Sequence, residues 1–211
     1  MKRAFLFGLL SFGSFASAAP FDFTGGTGGL IPDGAGSNNV SGNPLIISFN
    51  VNAPGMTITQ FTRASVIGFT HTFLGDLTVV ISHLGVSVDL MDRNYRTTTT
   101  SFGLGADLNG TYGFLASGAT MIGSGTPSTV PPGDYARNSN PTAGSSAAAG
   151  TFASFVGLAL SGTWTVEFRD WAQFDTGSAS QFRIQGDAVP EPASLAILGF
   201  GLAALFARRR K

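Results

Sequence analysis

No cysteine occurs among the 211 residues, which excludes disulfide staples and thiolate metal sites. Lysine is confined to Lys2 and Lys211, and glutamate to Glu167 and Glu191. Charged residues make up only 11% of the chain, and half of the 12 basic ones sit in Lys2, Arg3 and residues 208–211. The body between the ends, residues 19–189, holds six Arg against eleven acidic groups, a net charge of −5. It therefore lacks the basic face with which nucleic-acid recognition begins. There is no H-E-x-x-H, no G-x-S-x-G nucleophile elbow, and no Gly-Lys-Ser/Thr to turn the glycine pairs near Gly25 into a phosphate loop. No long helix-period segment interrupts the body. What is present is 29 Gly and 19 Phe with many Thr and Ser, the composition of one all-β domain. About 170 residues suffice to bury a sizeable core without covalent help.

The two ends carry addressing signals. Residues 1–18 have a basic start, an apolar run to about Phe15, and Ala16-Ser17-Ala18 as an A-x-A cleavage pattern. This predicts a signal peptide, export, and removal by signal peptidase. At the other end, Pro190-Glu191-Pro192 precedes an apolar run over residues 193–207, closed by Arg208, Arg209, Arg210 and Lys211. The run would measure about 22 Å as a helix, short of the ~30 Å hydrocarbon core, so bilayer thinning and snorkelling of the arginines must close the gap. Its only polar residue is Ser194, whereas a buried core helix would show a polar face. The four cations favour the cytoplasmic side. The order Pro-Glu-Pro, apolar run, arginine cluster resembles the PEP-CTERM sorting signal of Gram-negative bacteria. The resemblance implies that residues 189–211 anchor an exported protein transiently in the inner membrane until an exosortase removes them.

Residues 19–44 are rich in Gly, Asn and Ser and predict a flexible arm. Strand signals follow at residues 45–51, 58–61, 64–71, 77–83 and 86–91, then at 152–155, 163–170 and 181–185. Along the strand at 163–170, Trp164, Val166 and Phe168 share one face, with Thr165, Glu167 and Arg169 on the other. Asn109-Gly110-Thr111 predicts a turn. Residues 123–150 form a long Gly/Ser/Pro/Ala segment broken by Tyr135, a length that suggests a functional or mobile loop.

The run His71-Thr72-Phe73-Leu74-Gly75-Asp76-Leu77-Thr78-Val79, followed by Gly85 and Leu90-Met91-Asp92-Arg93, resembles the first half of a P/Homo B domain. Gly162-Thr163-Trp164-Thr165-Val166, Asp170, Asp175 and Gly177 match its second half. The resemblance covers about residues 45–187 and implies a jelly-roll-like β-sandwich of about eight strands. The chain departs from that pattern at His83-Leu84, at Leu115-Ala116, where relatives often carry acidic residues, and at Phe182 in place of a tryptophan.

Candidate chemistry is sparse. His71 is expected to be a hydrogen-bonded strand-end residue and His83 a surface one. Glu167, the body's only glutamate, should face solvent and would need a carboxylate partner for glycoside hydrolysis. Asp76, Asp92, Asp170 and Asp175 lie at strand ends in the two matched regions, where they either ligate a weakly held calcium ion or cap turns. Tyr95, Tyr112, Tyr135 and Trp171 form either a sugar-stacking platform or part of the core. The expectation is a non-enzymatic protein needing no cofactor, processed by exosortase and delivered to the cell surface or extracellular matrix. There it would serve as a structural or interaction module linked to exopolysaccharide and biofilm. The alternatives are a carbohydrate-binding module or adhesin, and an accessory chain to a subtilisin-like protease.

Overall fold

The computed structural model describes residues 17–37, 39–94, 97–98, 100–121, 128–139, 148 and 150–191. The apolar parts of both addressing segments, including the sorting helix expected after Pro192, lie outside the described residues. Residues 18–191 form one compact unit.

Among the described residues, twelve strands pair into two sheets. The smaller sheet runs in the order β3 (Leu45–Val51), β10 (Gly162–Asp170), β5 (Leu77–His83), β6 (Val86–Asp92), all antiparallel. The larger sheet is built on β4 (Met56–His71). One side of β4 carries β12 (Gln181–Pro190) and β11 (Gly177–Ala179), and these in turn pair with β1 (Ala19–Gly25) and β2 (Gly29–Ile31). On its other side β4 pairs with β7 (Asp107–Leu115), to which β8 (Thr129–Val130) and β9 (Gly133–Ala136) add in parallel.

The period-2 pattern of β10 governs the interior. Trp164, Val166 and Phe168 are fully buried, while Thr165, Glu167 and Arg169 alternate outward. Each inward residue heads a cross-strand row: Phe49–Trp164–His83, Ile47–Val166–Ile81 and Leu45–Phe168–Val79. These rows meet the larger sheet through aromatic pairs, Phe61 on Trp164 at 5.4 Å, Phe69 on Phe168 at 5.5 Å and Phe49 on Phe182 at 4.6 Å between centroids. Phe182 thus fills the position where a tryptophan was expected, without exposing the core.

Several expectations from sequence need correction. The stretch expected to be a flexible arm contributes β1 and β2, because Phe21 and Ile31 are buried at alternate positions and the strands pair with β12 and β11. The two short runs at 58–61 and 64–71 are one 16-residue strand, β4. Asn109-Gly110-Thr111 is not a turn but the middle of β7, opposite an irregularity at Ile67-Gly68, where Gly68 has φ +61°. Residues 152–155 form a 3-10 turn instead of a strand, closed by a reciprocal cap between Thr151 and Ser154. Phe152 and Phe155 project from that turn onto Phe61. The sandwich therefore has more strands than the eight expected, through additions at both edges of the larger sheet.

Candidate functional site

Two places in the fold combine unusual chemistry with the motifs read from sequence. The first is the end of the smaller sheet where β4, β5, β6 and β10 bring His71, Asp76, Asp92, Arg93 and Asp170 together. The 3-10 turn Leu74–Asp76 links β4 to β5 and is buried throughout. Gly75 within it permits that burial, since a Cβ there would overlap the backbone of residues 102–104. Gly177 plays the same part against the ring of His71.

His71 and Asp170 face each other with side chains 0% and 1% exposed, Nε2 lying 3.2 Å from Oδ2. The Phe73 backbone N–H donates to Nδ1 at 3.1 Å. Nδ1 also lies 3.0 Å from the Phe73 carbonyl oxygen, so both ring nitrogens face polar partners. Asp170 Oδ1 accepts the Ala172 backbone N–H. Arg93 is fully buried, at a left-handed φ of 38°. It donates to Asp76 Oδ1 at 3.3 Å, to the Gly75 carbonyl at 3.3 Å and to Asn39 Oδ1 at 2.6 Å, with its guanidinium 5.8 Å from the Trp171 ring. Each charge has a partner of opposite sign or an oriented dipole. That is what allows buried ionic groups to persist. In both pairs the side chains are no more than 1% exposed.

The four aspartates weighed as calcium ligands do gather near this end, but they do not converge on one point. Asp76 turns to Arg93 and Asp170 to His71. Asp175, across the 171–176 loop, accepts from the Thr72 hydroxyl at 2.9 Å. Asp92 is buried, and its backbone N–H donates to Asn138. Among the described residues no group of three or more His, Asp or Glu side chains is placed to hold a metal ion. The loop between Asp170 and Asp175 turns the two carboxylates to different partners, His71 and Thr72. Melting temperatures measured with ~10 mM calcium and with chelator should coincide. A site of ~1 mM affinity would instead add about 1.4 kcal/mol.

Other sequence-derived candidates also change place. His83 is buried, not on the surface. Its ring stacks on Trp164 at 3.9 Å and 4°, with Nδ1 3.0 Å from the Thr163 carbonyl and Nε2 2.8 Å from that of Ala159. Tyr112 is buried, and its hydroxyl donates to the Val130 carbonyl, so the aromatic platform does not form around it. Burial pushes the Tyr112 phenol up. Tyr95 lies outside the described residues. Glu167 pairs with its neighbour Arg169 on the outer face.

The second place is the end of β12. The strand runs on through Val189 into Pro190, whose Cα partner is Met56, and the Glu191 backbone N–H donates to the Gly55 carbonyl at 2.7 Å. Proline is tolerated there because the hydrogen bonds to this end of β4 come from its neighbours, the Glu191 N–H among them, while its own nitrogen faces the other side, where β1 has already ended at Ala19. The first residue of β1 is Ala19, paired with Ala188, so both ends of the described unit leave the sandwich side by side. The role of Gly55 as acceptor was not legible in the sequence. It depends on a turn 135 residues upstream of Pro190, at Gly55.

Residues 188–211 match the family described as the PEP-CTERM protein-sorting motif. No curated protein and no solved structure matches the chain. The motif implies export, a C-terminal tail held in the membrane before processing, and an exosortase as the processing partner.

Proposed function

We propose that this chain is a non-catalytic structural or interaction module, released by exosortase to the cell surface or extracellular matrix of a Gram-negative bacterium and linked there to exopolysaccharide. The observation that carries the reading is the sorting motif at residues 188–211 set directly on a closed β-sandwich. His71 and Asp170, the pair most like a catalytic dyad, are sealed from solvent and packed as part of the fold. A jelly-roll-like, P/Homo B-like assignment of the sandwich is supported by the way its signature residues work together. His71, Gly75, Asp76, Asp170 and Gly177 pack around one buried polar cluster. Signal peptidase acting after Ala18 completes the maturation.

Membrane fractionation tests the sorting half of this reading. With Arg208–Lys211 deleted, the precursor should no longer be retained in the inner membrane, since those charges hold the tail's end in the cytoplasm. With exosortase removed from the host, the intact precursor should accumulate there. Full release without exosortase would refute the reading.

A second reading, a module with a defined ligand such as a sugar, rests on Phe174. This side chain is 86% exposed at φ +85°, with its backbone N–H held by the Asp33 carboxylate. Backbone strain of that kind concentrates at functional sites. Glycan-array binding that disappears in Phe174→Ala would favour it.

A further inference from the structure

We propose that the sandwich latches its own sorting motif, so that the last rungs of β12 must separate from β4 before exosortase can act. The inference rests on the exosortase reading above and adds a conformational step to it. β12 runs on through Val189 into Pro190, so the strand and the motif overlap.

Ala188, Val189 and Pro190 pair with Ile58, Thr57 and Met56, and the Glu191 N–H closes the ladder on Gly55. Two of the three residues of Pro190-Glu191-Pro192 are therefore held against the sheet. Ala188 just before them is fully buried. The strand they rest on is itself braced from the far side. The Ile58 N–H donates to Leu158 at 2.9 Å, the Leu160 N–H donates to Met56 at 2.8 Å, and Thr57 bridges Ala159. Leu160 is in turn fixed by the Trp164 indole, whose N–H donates to its carbonyl at 3.2 Å. The latch is thus continuous with the hydrophobic core.

An enzyme that reads an extended peptide engages the peptide's backbone N–H and C=O groups. On β12 the Glu191 N–H is already taken by the Gly55 carbonyl, and Pro190 has no N–H to offer. The segment must open locally, and cleavage then follows the population of the opened end. The consequence is a timing device. A chain whose sandwich has not closed offers a free motif, whereas the folded precursor is cut only as fast as its last strand frays.

The chain has no cysteine of its own, which makes a crosslink test clean. Thr57 and Val189 are direct partners in an antiparallel pair, where Cα atoms lie within the ~4.4–6.8 Å that a disulfide spans. Full-length precursor carrying Thr57→Cys and Val189→Cys is followed in a host with exosortase. Under oxidising conditions its processing should slow by at least ~tenfold relative to the natural precursor, and reductant should restore it. A second variant adds a flexible Gly/Ser insert of about six residues between Val189 and Pro190 to the same crosslinked chain. It should be processed in both redox states, because the motif is then free of the ladder. Equal processing of the oxidised crosslinked chain and the natural one would overturn the latch. So would an inserted variant that stays uncut while crosslinked, since the crosslink would then act elsewhere. If the natural precursor is itself left unprocessed, the exosortase reading fails first and the latch fails with it.

Discussion

Replacing Trp164 by alanine should destabilise the sandwich by about 3–5 kcal/mol, the usual cost of truncating a buried tryptophan. The ring is fully buried and holds three elements together. It lies flat on His83 from β5, stacks against Phe61 from β4, and meets Phe155 from the 3-10 turn at 5.2 Å. Its N–H also satisfies the Leu160 carbonyl, which the mutation would leave buried and unpaired. A domain of this size has only about 5–15 kcal/mol to lose, so the melting temperature should fall by roughly 6–20 °C. Thr165 provides the control one residue away. Its hydroxyl meets Ser48 on the exposed face, and Thr165→Ala should cost no more than ~0.5 kcal/mol. Melts showing the two changes to be equally mild would mean that the inward face of β10 is misassigned.

Arg93→Met should be nearly as damaging, at about 3–5 kcal/mol, for a different reason. The substitution keeps most of the volume but removes the cation, leaving Asp76 buried beside the Gly75 and Asn39 oxygens that the guanidinium now satisfies. Removing the second charge as well, in Arg93→Met with Asp76→Leu, should recover a good part of the loss, because the carboxylate that faced the guanidinium is removed with it. A double-mutant cycle by denaturant unfolding reads this as a coupling of more than ~1 kcal/mol. Strictly additive losses would show that the pair contributes nothing beyond its separate side chains.

The strands that were legible in the sequence are those whose two faces differ in polarity. β10 and β5 could be placed from alternation alone because Trp164, Val166 and Phe168 share one face and Leu77, Val79 and Ile81 the other sheet position beside it. β1 and β2 were not legible. Their signal is a single buried residue each, Phe21 and Ile31, set among glycines whose usual meaning is flexibility. Their strand character comes from pairing with β12 and β11, which lie more than 140 residues away in the sequence. The Asn-Gly in β7 misled for the converse reason. The local turn signal is genuine, but the pairing of β7 with β4 overrides it and uses the glycine opposite an irregular rung.

The polar cluster was half legible. The spacing of His71, Asp76 and Asp170 marked strand ends, and the sequence left their carboxylates open between ligands and turn caps, whereas Asp76 faces Arg93 and Asp170 faces His71 while accepting the Ala172 backbone N–H. What the sequence did not show was that Arg93, at a left-handed φ, would be drawn into the same buried end as their counter-charge. A lone arginine beside Asp92 carries no signal of burial, because arginine is ordinarily exposed. The sorting motif was fully legible as a string. Its attachment to the sheet was not, because that depends on how far β12 continues past Gln185.

Intact-mass analysis of the mature protein from its native host tests the central claim most directly. Exosortase processing predicts a chain without residues 1–18 at its N-terminus and without the apolar tail that follows Pro190-Glu191-Pro192. A mass that still includes residues 193–211 would contradict it.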